Sequence, residues 1–444
     1  MRILIVGAGE VGSHLAKLLS KEDQEIIIVD EDINRLSPLE SQNLECYCGD
    51  PSSFSTLGLK RAGEADLFIA VTTNEHKNID ACSIAKYYGA KRTVARINNY
   101  EYFNPKNRAF FKKIGVDELI YPEYLASLEV LSALKHTWAR SWFELFDGEL
   151  ILLGVKLRTD ADIIGKTLRE MAHISNLMHI SSIKRGKEII IPSGNDKIKL
   201  NDIVYIATQK EYLNDVVKIC NKRSTDVKRV LIMGGSRIAK RIISHESPYH
   251  FTIIEKDRDV AEDLSERFPD CDIVCGDGCD PDLWENPSLN LQNHEAFVAL
   301  TGSSEMNILA CIAAKGIGIK KTIADVENLQ FISEAEMLNI GTVINKKLLA
   351  SSAIFQMLID ADTSTSKCLA LSDAEVAEMV VKENSPISNK MIKDLRLSRD
   401  MTIAGLVRNG KGMMVRGDTQ MEAGDHVIVM CLRGALSKVE KLFN

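Results

Sequence analysis

A chain of 444 residues, 45% hydrophobic and 26% charged, has ordinary globular composition and material for two to four domains at roughly 100–200 residues each. Its formal net charge of -7 argues against a generic nucleic-acid surface, and no Lys/Arg cluster offers a polybasic membrane anchor. The longest apolar runs, such as residues 150–153 and 427–432, are too short to span a bilayer, and Met1 leads into a strand-like run rather than a signal sequence. A cytoplasmic chain is therefore expected, with any link to the inner face of the membrane running through a partner.

In chain order, β-rich runs at 2–6, 25–30, 44–48, 66–71, 93–97 and 118–121 alternate with helical patterns. The first of these helices is 10–20, with Val11, Leu15, Leu18 and Leu19 on one face. Such alternation predicts an α/β fold, a Rossmann-like doubly wound parallel sheet. A helical connector at 122–138 leads to a small α+β lobe over 143–220, with strands expected at 150–157, 188–191 and 203–207 and a turn at Arg185-Gly186-Lys187. The pattern then starts again. Strands are expected at 229–233, 250–254, 272–275, 295–300, 321–325 and 342–344, a connector at 346–360, and a second lobe over 369–443. That lobe has strands at 375–382, 403–407, 413–415 and 427–432 and a turn at Asn409-Gly410-Lys411. The expected domains are 1–138, 139–224, 225–362 and 363–444, with a flexible joint at 362–366.

An internal duplication underlies this order. RILIVG at 2–7 recurs as RVLIMG at 229–234, an offset of 227 residues from Arg2 to Arg229. The same offset carries Cys48-Gly49-Asp50 onto Cys275-Gly276-Asp277. At a slightly larger offset AVTTNEHKNIDACSIAK (70–86) matches ALTGSSEMNILACIAAK (299–315), and at a slightly smaller one Leu125-Ala126-Ser127 matches Leu349-Ala350-Ser351. The chain is a tandem duplication of a Rossmann-like sheet plus a small lobe.

The first half carries Gly7-Ala8-Gly9-Glu10-Val11-Gly12 between a strand and a helix. In that context Gly7 allows the tight turn, Gly9 lets backbone approach a pyrophosphate, and Gly12 lets helix and strand pack closely. The helix N-terminus adds unpaired N–H groups and a favourable dipole. Asp30 ends the second strand, where a carboxylate binds ribose hydroxyls; with Glu31 and Asp32 it disfavours a 2′-phosphate, so NAD(H) or an adenosine nucleotide (ATP/ADP) is expected over NADP(H). Thr72, Thr73 and Asn74 follow the fourth strand and Arg96 ends the fifth. The threonines fit either a nucleotide or helix N-capping, and Arg96 either phosphate or a surface ion pair. In the second half Ser236 stands for Gly9, Ala239 for Gly12, Glu255 for Asp30 and Asp325 for Arg96. A carboxylate beside phosphates is unfavourable, so this site is degraded or tuned to another ligand.

Cys271, Cys275 and Cys279 have a spacing that metal ligands use, but read more simply as strand-end and loop residues of a reduced chain. A dehydrogenase would need a proton donor, and the histidines of the first lobe, His173 and His179, read as lying in a helix or turn without a carboxylate partner. A repressor would need a helix-turn-helix, which the pattern lacks. The stripe Leu125, Leu128, Leu131 and Leu134 suits either a subunit interface or an internal core.

RILIVGAGEVGSHLA, Val29-Asp30, Gly49-Asp50, AVTTNE with Asn78, and VARI at 94–97 resemble the RCK (KTN) domain family over essentially the whole chain. The resemblance implies a non-catalytic regulatory subunit in potassium transport, binding NAD(H) and often ATP/ADP. It implies a homo-oligomer, a tetrameric ring, that gates an integral-membrane potassium transporter subunit of the TrkH type. The implied nucleotide residues are Gly7, Ala8, Gly9, Glu10, Val11, Asp30, Thr72, Thr73 and Arg96, and in the second half Gly234, Gly235, Ser236, Arg237, Ile238 and Glu255. In related RCK proteins the small lobe binds ions or a cyclic dinucleotide; here assembly is the expected role.

Overall fold

Six strands of the first half, β1 (Arg2–Val6), β2 (Glu25–Asp30), β3 (Glu45–Cys48), β4 (Leu67–Ala70), β5 (Arg92–Arg96) and β6 (Glu118–Ile120), form one sheet of order β3-β2-β1-β4-β5-β6. Neighbouring strands of this sheet pair in parallel. The computed structural model describes residues 1–20, 24–40, 44–286, 293–359, 365–370, 374–432 and 434–443. β1 and β4 are almost wholly apolar and buried because helices cover both faces of the sheet. The strand order reverses between β1 and β4, so the crevice for a ligand opens at their carboxyl ends.

The second half repeats this sheet with β12 (Arg229–Met233), β13 (His250–Glu255), β14 (Asp272–Cys275), β15 (Ala296–Ala299), β16 (Lys321–Asp325) and β17 (Thr342–Ile344), in the order β14-β13-β12-β15-β16-β17. The expected strand positions agree with those observed to within a residue or two at each end. In chain order the first small lobe comes after the first sheet domain, as a five-stranded antiparallel sheet of order β10-β9-β11-β8-β7, where β7 is Ser141–Leu145, β8 Leu150–Lys156, β9 Met178–Arg185, β10 Glu188–Ile190 and β11 Ile203–Thr208.

The sequence reading had no strand at β7 or β9. β9 carries Ser181 and Ser182, polar yet fully buried, which hide its apolar alternation; the Ser181 hydroxyl is satisfied by the Tyr205 carbonyl at 3.1 Å. His179 accordingly lies in β9 rather than in a helix or turn, whereas His173 lies in the short 3-10 helix Ala172–Ile174. In the second small lobe β18 (Thr365–Ala370) pairs antiparallel with β19 (Ala374–Val380), and β20 (Met401–Arg408) with β21 (Lys411–Met413). β22 (His426–Leu432) follows. β18 was also absent from the sequence reading. The expected joint at 362–366 falls partly outside the described residues, and its last two residues open β18.

The two lobes share one device. Arg185 grips Asp202 through Nε at 2.9 Å and Nη2 at 2.7 Å, and Arg408 grips Asp425 through the same two nitrogens at 2.7 Å each. Both carboxylates are buried, and the paired, two-pronged geometry satisfies them.

The chain divides into two units: Met1–Pro122 with Lys347–Ser388 and Cys431–Asn444, and Glu123–Lys346 with Asn389–Met430. Each connector helix thus packs on the sheet domain of the other half. In the helix Lys346–Ile359, Lys347 pairs with Glu10 and the Met357 carbonyl accepts from Arg92 at 2.7 Å. In the helix Pro122–Lys135, the Tyr124 ring packs at a tilt against His245, 5.5 Å between centroids. The leucine stripe of that helix is mixed: Leu134 is buried and Leu128 is 41% exposed.

Candidate functional site: two unequal glycine-turn crevices

The turn after β1 is built from three glycines with separable causes. Gly7 sits at φ +102°, a left-handed conformation that L side chains rarely adopt. A Cβ on Gly12 would lie 1.8 Å from the Gly7 carbonyl oxygen, so helix and turn could not approach. Gly9 has neither constraint: its φ is −66°, and a Cβ there would meet nothing within 4 Å. No internal packing requires glycine at position 9, and the open space beside it leaves room for a ligand to approach the backbone. Gly9 also N-caps the helix Glu10–Leu19 without a side-chain hydrogen bond, so the first-turn N–H groups have no side-chain acceptor there.

Asp30 closes the other wall. Its buried carboxylate accepts from the Ala8 N–H at 2.6 Å and from the Asp32 N–H at 2.8 Å. It therefore braces the turn as well as standing at the end of β2. Arg35 approaches it to 4.0 Å from the exposed side.

At the far wall, Gly7 is packed on Thr72, with a Cβ at Gly7 falling 2.9 Å from the Thr72 nitrogen. Thr72 donates its hydroxyl to Asn78 Oδ1 at 2.6 Å and its N–H to the same oxygen at 2.9 Å. Asn78 Nδ2 donates to the Thr72 carbonyl at 3.1 Å and to the Arg96 carbonyl at 2.8 Å. One fully buried amide thereby ties the ends of β4 and β5 together. The cap of the helix Glu75–Tyr88 is Asn74, whose side chain accepts from the His76 and Lys77 N–H groups, so the threonines are not the caps. Thr73 is exposed, and Arg96 is half-buried at the end of β5. Gly7, Ala8, Gly9, Glu10, Val11, Asp30, Thr72, Thr73 and Arg96 therefore come from adjoining strand ends on one side of the sheet.

The second crevice copies the frame and changes the contents. Gly234 keeps the left-handed φ, at +99°. Glu255 accepts from the Gly235 N–H at 2.5 Å, as Asp30 does from Ala8. Asn307 repeats the role of Asn78, bonding Thr301 and donating to the Asp325 carbonyl at 2.8 Å. The difference lies at the helix start. Ser236 caps the helix Arg237–Ser244 with its own hydroxyl, which accepts from the Ala239 N–H at 3.4 Å. Ile238 is buried in that helix, and Asp325 is buried where Arg96 stands in the first half. A side chain thus occupies part of the anion-receiving position, and a carboxylate replaces the guanidinium.

The sequence reading named Asn78 only within a motif and did not name Asn307 as a site residue. The signal was there: the aligned blocks 70–86 and 299–315 place an Asn at the same step in both halves.

The other constellations do not assemble a second chemistry. Among the described residues no group of three His, Cys, Asp or Glu side chains is placed to hold a metal; Cys275 ends β14, and Cys271 and Cys279 lie just outside that strand. His179 is half-buried in β9, with its pKa lowered to about 4 by desolvation, and its ring nitrogen lies 3.5 Å from the Thr402 hydroxyl. His173 is exposed on the Glu170 carbonyl at 3.1 Å. No described helix is long and apolar enough to cross a membrane.

Comparison with known proteins supplies the family. The TrkA-N domain model matches residues 3–122 and 230–346, and the TrkA-C domain model matches 152–221 and 376–444. The Trk system potassium uptake protein TrkA of Vibrio alginolyticus is 29% identical over 459 residues, covering 100% of this chain and 98% of that one. Its counterpart in Haemophilus influenzae is 28% identical over 455 residues with the same coverage. The solved structure described as the GsuK channel bound to NAD shares the fold at a TM-score of 0.58 and 14% identity, covering 100% of this chain and 78% of that one. The chain therefore belongs to the TrkA family of RCK-domain proteins, with its TrkA-N and TrkA-C domains each present twice in tandem.

Proposed function

We propose that the protein is a nucleotide-sensing regulatory component of a potassium uptake system, and that the first crevice is its sensor. The observation that carries this reading is the open helix N-terminus at Gly9 facing a turn braced by Asp30, with a self-capped copy in the second half. NAD(H) or ATP/ADP would place its phosphates on the Gly7–Val11 backbone and its ribose against Asp30. The relatives named potassium uptake proteins, and the NAD-bound channel of the same fold, support this ligand class and setting. The chain acts without catalysis, as a peripheral component at the inner face of the membrane. Its partner is an integral-membrane subunit of the TrkH type, and it works as a homo-oligomeric ring.

Gating follows if the nucleotide binds the two states of the ring with different affinity, since a ligand shifts an equilibrium only by that difference. Arg96, a cation at the end of β5, follows the number and position of phosphates in the crevice. A coupling of about 1–3 kcal/mol is typical and shifts flux several-fold or more. The test is potassium flux into vesicles holding the membrane subunit and this protein. Saturating NADH, ATP or ADP should change the flux, and Arg96→Ala should blunt the response. Unchanged flux with the protein bound would refute gating; an undiminished response in Arg96→Ala would remove Arg96 from the sensing role.

A further inference from the structure

Away from both crevices, the unit containing the second sheet domain holds a cavity of about 400 Å³ between that domain and the first small lobe. Its size falls within the range of small-molecule sites. Eight of its seventeen lining residues are Lys or Arg, and one, Asp160, is acidic. This is costly by Coulomb's law, because like charges are gathered where solvent screening is reduced.

The inner cations are held by neutral groups. Lys156 Nζ donates to the Glu336 carbonyl at 2.8 Å and Lys222 Nζ to the Lys156 carbonyl at 2.6 Å. Lys315 Nζ donates to the Asn339 carbonyl, and Arg140 donates to Asn339 Oδ1 at 2.6 Å. Lys321, 5% exposed, reaches the Ala139 carbonyl at 3.3 Å and the Thr342 hydroxyl at 3.1 Å. Among the described residues none of these five forms an ion pair with a carboxylate. The nearby Glu336 is taken by Lys184 at 2.6 Å.

Burial first, and then neighbouring cations, pulls Lys321 down to about 7 and Lys315 to about 8. The charges facing Lys321 are Arg140, Lys315 and, opposing them, Glu129. Those facing Lys315 are Arg140, Arg158 and Lys156, with the Cys311 thiol opposing them. Main-chain carbonyls orient these ammonium groups without neutralising them, so a site built this way lacks its counter-charge.

We propose that this cavity is an anion site, separate from the glycine-turn crevices, that takes a compact oligophosphate. Only a multiply charged anion balances so many cations, and the arginine fork with several ammonium groups matches phosphate oxygens. Trp138 is the one aromatic residue of the lining, so the site recognises the phosphate chain rather than a base. The phosphates come either from inorganic pyrophosphate or from the tail of a nucleotide. Bound there, they would tie the small lobe to the second sheet domain.

The test is calorimetry of the full chain with sodium pyrophosphate at low salt and pH 8, with saturating NADH present to occupy any dinucleotide site. One pyrophosphate per chain is expected, with proton uptake as Lys321 and Lys315 become fully charged, seen as a binding heat that depends on the buffer. Arg140→Met should weaken binding at least tenfold. Arg158→Gln, at an exposed position, should weaken it several-fold with an unchanged thermal melt. ADP that competes with pyrophosphate identifies a nucleotide tail; no competition identifies the inorganic anion. No saturable pyrophosphate binding at millimolar concentration, or affinity in both Arg158→Gln and Arg140→Met unchanged from that of the unaltered chain, overturns the proposal.

Discussion

Replacing Asp30 by alanine separates the two tasks assigned to its carboxylate. In the folded chain it accepts two backbone N–H groups, from Ala8 at 2.6 Å and Asp32 at 2.8 Å, and Ala8 is itself buried. A hydrogen bond to a charged group contributes about 1.5–3 kcal/mol, and the Ala8 N–H would be left without an acceptor away from water. Asp30→Ala should therefore cost about 2–4 kcal/mol of stability. Asp30→Asn, which keeps one acceptor oxygen, should cost less.

The ligand effect comes on top. Losing the ribose contact and loosening the turn should weaken NADH or ADP binding at least tenfold, or about 1.4 kcal/mol and more. Glu255→Ala is the internal control, because Glu255 makes the equivalent bond to Gly235 at 2.5 Å in the self-capped crevice. It should lower the melting temperature without weakening the nucleotide bound in the first half. Calorimetric titration with NADH and ADP, paired with thermal melts of all three variants, reads both quantities. If Asp30→Ala binds within twofold of the parent, the carboxylate is not at the ribose. If Glu255→Ala loses as much affinity as Asp30→Ala, the ligand has been assigned to the wrong half.

Gly9→Ala should fold normally, since its Cβ meets nothing within 4 Å, yet lose nucleotide affinity at least tenfold; unchanged affinity would show that no phosphate approaches that backbone. Gly12→Ala, with its Cβ 1.8 Å from the Gly7 oxygen, should instead destabilise the first sheet domain, and a normal melt would contradict the packing described. Asn78→Ala removes an amide that satisfies groups on two strand ends and should cost about 2–4 kcal/mol, with Asn307→Ala similar; a shift below about 0.5 kcal/mol by denaturant titration would show the bridge to be dispensable. Lys321 has a folded pKa lowered to about 7 from 10.5, so between these values the unfolded chain holds a proton that the folded chain does not. Stability should therefore rise from pH 7 to pH 9 in the absence of anion, and this benefit is lost as pH falls through 7. Lys321→Met should flatten that rise, and an unchanged slope in melts across this window would exclude Lys321 as its source.

The duplication, the doubly wound sheets and the first glycine turn were all legible in the sequence. Each rests on local rules: apolar runs in β1 and β4, helical spacing from Val11 to Leu19, and glycine where φ is positive or backbone must pass close. Strands β7 and β18 were not read from the sequence, and β9 was not legible because the buried Ser181 and Ser182 break its apolar alternation, Ser181 being satisfied by the Tyr205 carbonyl of a neighbouring strand that periodicity does not see. The bridges of Asn78 and Asn307 and the bracing of the turn by Asp30 depend on distances between strand ends. The residues were visible in the sequence, but their partners were not. The partnership of each connector helix with the sheet of the other half was equally hidden, since residues 123–135 and 347–359 have the same apolar character wherever they dock. The cation-lined cavity is the clearest case. Arg140, Lys156, Lys222, Lys315 and Lys321 are scattered along the sequence and read singly as solvated surface charges. Only the tertiary structure gathers them, because charge repulsion acts through space and a linear sequence carries no record of which cations will face each other.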